Sequence, residues 1–183
     1  MKAGATAALF VLVVGAAAGQ RGAGIPQATG PSVARDLRGA VDIHVHSDPD
    51  NVPRVLDGLE AARFARDSGL RAIVLKNHFD STAGLAWLAR KHVPGIEVFG
   101  GIDLNLPAGG MNVHAVEHMA RANGGWGRVV WMSTFDSENQ VRTSKASRPF
   151  VRVSENGALL PETKAVIAAI AKHNLVLASG HVS

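Results

Sequence analysis

His44 and His46 stand two residues apart at the end of a short alternating run, Val41-Asp42-Ile43-His44-Val45-His46. Residues i and i+2 of a strand point the same way, so both imidazoles leave the chain on one side. Ser47-Asp48-Pro49-Asp50 then stops the pattern. Neutral imidazole suits zinc and its neighbours, and carboxylate suits harder ions. The same kind of ending recurs downstream. Lys76-x-His78, Asp103-x-Asn105, the run through Ser133 and Thr134 to Asp136, and Ser179-x-His181 each close an apolar stretch. Buried polar groups are costly without partners, so five such endings in register argue for one shared site. A divalent metal is the natural way to satisfy clustered imidazoles. The alternative for any single pair is a hydrogen-bonded strand end with no ligand.

The elements that must position these residues are legible as a repeat. Strands are expected over 40–46, 71–78, 96–104, 127–133 and 175–181. Helices are expected over 54–67, stopped by Ser68-Gly69, over 82–92 with Ser81 or Thr82 as N-cap, over 112–124, and over 161–173 with Pro161 in the first turn. A polar stretch, 136–160, carries a possible hairpin at VRVSENGALL. Strand–helix alternation with short, apolar, β-branched strands predicts an α/β fold with a parallel sheet. A doubly wound dinucleotide-binding sheet would want a glycine-rich turn after the first strand, and HVHSDPDN has no glycine. A barrel places its chemistry at the carboxyl ends of many strands. The expectation is a TIM-barrel-like parallel (β/α) architecture with about five β/α units of eight.

Composition narrows the function classes. The chain has 183 residues, 46% of them hydrophobic and 19% charged, which marks a globular domain. Lys and Arg number 19 against 15 acids, scattered without a basic block or interleaved aromatics, so no nucleic-acid partner is expected. There is no Cys, which excludes disulfides, Fe–S clusters, thiolate zinc and a thiol nucleophile. Lys2, the apolar run AALFVLVVGAAA and the small residues before Gln20 have the three-part order of a secretory signal. The apolar run is short for a membrane span, which needs about 20 residues. Residues 1–18 are therefore expected to be a signal peptide cleaved after Ala18, with no stable membrane insertion afterwards. An uncleaved anchor is the alternative. Residues 19–36 read as a flexible lead-in, and 37–183 as the folded domain. The expected location is secreted or periplasmic.

The ordered motifs His44-Val45-His46, Lys76-Asn77-His78 with Thr82, Gly109-Gly110-Met111-Asn112 with Glu117, and Val130-Trp131-Met132 resemble an uncharacterised branch of the amidohydrolase superfamily of metal-dependent hydrolases. The resemblance spans about 40–183. It implies a distorted (β/α)8 barrel that holds one or two divalent ions, zinc or manganese, and activates water to cleave an amide, lactone or related bond of a small molecule. It implies His44, His46, Lys76, His78 and His181 as metal ligands, with Lys76 carbamylated and bridging; a cation facing substrate and a solvent-exposed strand end are the alternatives for Lys76. Asn105, Asn112 and Asp136 are the expected substrate-lining residues. Such enzymes use a late-strand Asp as base. None is visible before Ser183, so the sequence is expected to be a fragment lacking turnover by itself, with Asp103 or Asp136 as the candidate acids within it.

Other readings stay open. A histidinol-phosphatase-like phosphoesterase also begins with H-x-H and wants an acidic ligand after the third strand, which Asp103 could supply. A truncated, non-catalytic metal-binding relic is the third. His114-Ala115-Val116-Glu117-His118 fits the inverted zinc-protease motif H-x-x-E-H, but it falls on a helix expected to coat the outside of the sheet, where solvated side chains are the plainer reading. His92 and His173 end helices, where a cation suits the dipole.

Overall fold

The computed structural model describes residues 37–182. The expected signal segment and lead-in lie outside the described residues. The elements follow in order: β1 (Val41–His46), α1 (Gly58–Asp67), β2 (Ala72–Lys76), α2 (Ala83–His92), β3 (Glu97–Asp103), α3 (Val113–Arg121), β4 (Gly127–Trp131), α4 (Glu138–Thr143), β5 (Ser154–Glu155), β6 (Ala158–Leu159), α5 (Pro161–Lys172) and β7 (Val176–Ala178). A single 3₁₀ turn, Leu106–Ala108, follows β3.

Five strands form one sheet in the order β1-β2-β3-β4-β7, and every neighbouring pair is parallel. A doubly wound sheet reverses its order at a switch point. Here the order never reverses, so right-handed crossovers place successive helices on the same side. The result is a curled, half-barrel sheet alternating with helices. No described helix is long and apolar enough to cross a membrane.

The two faces of the sheet separate cleanly. Ile73, Leu75 and Val98 face the helices, packing with Ala61, Ala62 and Ala65 of α1 and Ala86 and Ala89 of α2. Val130 and Met132 join Val116 and Met119 of α3 and Val166 and Ile170 of α5 in a second cluster. Val74, Val129 and Trp131, of opposite parity, form a third cluster on the inner face. Small alanines let α1 and α2 approach the sheet closely. At Gly100 the approach is closer still, since a Cβ there would lie 2.5 Å from the Thr82 backbone.

Several expected boundaries move inward. The first helix starts at Gly58, not Arg54, because Asp57 forms a capping box with Glu60, accepting from Leu59 and Glu60 N–H while Glu60 reaches back to Asp57 N–H. It ends in a Schellman motif: Leu70 N–H donates to Ala65 O, and Gly69 takes φ 85°. The strands stop at Lys76, Asp103, Trp131 and Ala178, short of the polar residues beyond them. Thr82 precedes α2, but its hydroxyl donates to Leu75 O and accepts from Gly101 N–H instead of capping the helix. The polar stretch holds α4 as well as the expected hairpin, β5 and β6.

Candidate metal centre

The inner face at the carboxyl end of β1 and β2 carries the site. The register pairs His46 with Lys76, so His78, two residues further, lies beside His46. Their ring centroids are 4.6 Å apart. His44 Nε2 and His46 Nε2 are 3.2 Å apart.

Asp50 completes the group. The chain leaves β1 through Ser47 and folds back, held where Asp48 N–H donates to Leu56 O and Arg54 N–H donates to Asp48 Oδ1. The Asn77 amide donates to Pro49 O and fastens this loop to the end of β2. Asp50 Oδ1 accepts from the N–H groups of Asn51 at 2.8 Å and His78 at 2.9 Å. With one oxygen fixed in this way, Oδ2 faces inward. It lies 3.4 Å from His46 Nδ1 and 3.1 Å from His78 Nδ1. The Arg54 guanidinium closes the group, its Nη2 2.5 Å from Asp50 Oδ2 and 3.2 Å from each of the two Nδ1 atoms.

The donor set could hold a metal ion. One donor atom from each of His46, Asp50 and His78 lies within 4.8 Å of the others. Donors about 2.0–2.2 Å from zinc at tetrahedral angles stand about 3.3–3.6 Å apart, close to the two Asp50–imidazole separations. The charge states fit as well. Burial would raise the Asp50 carboxyl, but the His78 N–H, Arg54 and the Asn51 N–H outweigh it and hold it at about 2. Burial, reinforced by the Lys76 charge, lowers His46 to about 4. The same two causes lower His44 and His78. At neutral pH the group is one carboxylate and neutral imidazoles, the forms that coordinate metal.

A second polar layer lies deeper. Lys76 Nζ is ion-paired with Asp103 Oδ2, and both side chains are all but inaccessible. Thr134 Oγ1 donates to the same oxygen at 2.6 Å, and Lys76 Nζ lies 5.2 Å from the Trp131 ring centre. Burial raises the Asp103 carboxyl, opposed by Lys76 and Thr134. Asp103 Oδ1 is buried without a hydrogen-bond partner.

The structure thus brings His44, His46 and His78 together, with Lys76 beneath them. Lys76 spends its ammonium on Asp103. His181 lies in the turn after β7, exposed, with backbone bonds to Ser133, Ser137 and Asn139, and it does not join the cluster. Asn105 is fully buried. Its Oδ1 accepts from Ser133 Oγ, Thr134 N–H and Asp136 N–H, and its Nδ2 donates to His78 O. It braces His78 from behind and lines no opening. Asp136 accepts from Leu106 N–H and pairs with Arg148. Asn112 caps α3 through the N–H groups of His114 and Ala115. In the H-x-x-E-H run, His114 and His118 are exposed and Glu117 pairs with Lys172 of α5 at 2.9 Å, so the motif is helix surface.

Residues 39–183 match the Family of unknown function (DUF6282). The chain belongs to this family. No curated protein and no solved structure matches it. The DUF6282 match takes in the whole parallel sheet and every residue of the cluster. Asp50 and Arg54 are the members that sequence reasoning missed. The available signal was a carboxylate four residues beyond His46, in the loop that ends β1.

Proposed function

We propose that the chain is a metal-dependent hydrolase of the amidohydrolase type, built on a (β/α)-barrel arrangement and acting on a small-molecule amide, lactone or related bond. The observation that carries this reading is the convergence of His46, Asp50 and His78 donors at the carboxyl ends of adjacent parallel strands. That is the end of the sheet where barrel enzymes keep their chemistry. The resemblance of the ordered motifs supports the same class.

His46 and His78 supply neutral nitrogens and Asp50 supplies negative charge, held in place by two backbone N–H groups. A bound divalent ion, zinc or manganese, supplies a water of lowered pKa and polarises the bond to be cleaved. With His46 Nδ1 given to the ion, the single proton of the neutral ring would sit on Nε2, which lies 3.2 Å from His44 Nε2. His44 then fixes the tautomer of His46, the role that outer partners play for ligating imidazoles. His44 is exposed and neutral, so it is also the group at hand to take a proton from water or return one to a leaving group. Burial, reinforced by Lys76 beneath the imidazoles, keeps them unprotonated.

A phosphoesterase is the second reading, favoured by the Arg54 guanidinium at the cluster, because guanidinium matches phosphate oxygens bidentately. The export signal proposed for residues 1–18 rests on their sequence order alone. Metal analysis of the purified protein, then turnover on amide, lactone and phosphoester panels, tests the class. Stoichiometric zinc or manganese with amide or lactone cleavage is expected. Phosphoester cleavage alone selects the second reading. Protein that takes up no divalent metal refutes both.

A further inference from the structure

Arg54 Nη2 touches the same three donors that would hold the ion: Asp50 Oδ2 at 2.5 Å, His46 Nδ1 at 3.2 Å and His78 Nδ1 at 3.2 Å. One side-chain nitrogen thus lies within 3.2 Å of all three donors. That nitrogen has two hydrogens for three neighbours, and His78 Nδ1 also lies 2.8 Å from Asn51 Oδ1, so the guanidinium serves the group only in part, whereas a divalent ion would be held by all three donors. The Asp50 side chain is wholly buried, and Arg54 keeps 23% of its side chain exposed. Of the two partners, only Arg54 has a path to solvent. Its neighbours Pro53 and Val55 are exposed as well, so this stretch of the loop faces solvent.

We infer that Arg54 is an internal competitor for the metal: its guanidinium occupies the cation position, and a divalent ion binds only by displacing it. The inference rests on the metal-centre reading above and adds to it a residue that sets the affinity. A binding-competent state populated by a fraction f weakens the apparent affinity by 1/f. Charge-assisted hydrogen bonds of this kind hold the occluded state in favour by about 10-fold to 100-fold. Metal entry would then release the guanidinium at the mouth of the site.

The test is zinc affinity, measured against a chromophoric chelator, for the wild type, Arg54→Ala and Arg54→Lys, with circular dichroism to verify the fold. Arg54→Ala is expected to bind zinc at least about 10-fold more tightly than the wild type, and Arg54→Lys to fall between them. Free guanidinium, well below denaturing concentration, should return Arg54→Ala toward the wild-type affinity. In the wild type, zinc should remove the solvent-exchange protection of the Arg54 Nε–H, which donates to Asp50 at 2.9 Å. Equal or weaker binding by folded Arg54→Ala overturns the inference and leaves the metal centre standing. Should Arg54→Ala not fold, Arg54→Lys no tighter than the wild type, with Arg54 Nε–H protection unchanged by zinc, overturns it as well. If neither the wild type nor the variants bind zinc or manganese, the metal centre itself is refuted and the inference with it.

Discussion

Replacing Asp50 by Asn keeps the shape that accepts the two backbone N–H groups but removes the only negative charge in the cluster. Asp50→Asn is expected to weaken zinc binding by at least about 100-fold, beyond what loss of an outer partner costs. His44→Ala, which removes only the partner of the His46 ring, should cost about 10-fold to 100-fold. Equilibrium dialysis with metal analysis separates the two, and equal losses would contradict the division of roles. Protons should act in the same place. His46 sits at about 4 in the folded chain against an ordinary 6.5. The unfolded chain therefore takes up the proton first as pH falls, so stability is complete above 6.5 and is lost on descent toward 4. Asp50, at about 2 against 3.8, extends the loss in the same direction at lower pH. Urea midpoints of metal-free protein should drop across the first window, and His46→Gln should flatten that drop. His46 and His78 were legible because strand parity places them. Asp50 was not, because its position depends on a loop that returns to pair with an amide 28 residues away.

At the scale of elements, the strands were readable and their ends were not. Apolar runs mark β2 and β4 plainly, yet beyond Lys76 the His78 N–H turns to Asp50 Oδ1, and beyond Trp131 the Met132 N–H still meets Ala178 O before Thr134 N–H turns to Asn105 Oδ1. Thr82, Asn77 and Asn105 take over where the ladder ends, and no local pattern announces that role. Lys76 and Asp103 could be read only as separate candidates from the sequence. The β2–β3 pairing brings them together and makes them neutralise each other. Breaking this pair from one side should be costly. Lys76→Met is expected to destabilise by about 3–5 kcal/mol, because it strands a buried carboxylate, while the double variant Lys76→Met/Asp103→Leu should recover most of the loss. Denaturant unfolding of both decides it. A double variant no better than the single would mean that the ion pair itself, through Thr134 and the Trp131 face, holds the strand ends.

For the described domain as a whole, sequential strand order was the most legible property, since each β/α unit reads as a local repeat and its neighbour in sequence is its neighbour in the sheet. The half-barrel leaves β1 and β7 with one strand partner each among the described residues, and Ile43, Val176 and Leu177 are exposed along them. The buried inner-face polar layer joins the ends of β2, β3 and β4 through Lys76, Asp103, Asn105 and Thr134. Cooperativity across the units therefore runs through side-chain hydrogen bonds at one end of the sheet as well as through the helix–sheet core.

The fold-back of Asp50 onto the amide of His78 has a consequence in polymer terms. A cation gripped by Asp50 and His78 closes a loop of 28 residues in sequence, as a reversible cross-link between two successive β/α units. Cross-linking a loop of that length lowers the entropy of the unfolded chain by the equivalent of about 3–4 kcal/mol. An ion that stays bound through unfolding would act as a staple, whereas one released on unfolding stabilises only by mass action, rising with the logarithm of its concentration. Thermal midpoints across a zinc series distinguish the two: a plateau once the site is filled marks the staple, and a continued logarithmic climb marks release. The short span between donors, and the dependence of Asp50 on a backbone amide that exists in place only in the folded sheet, lead us to expect the climb.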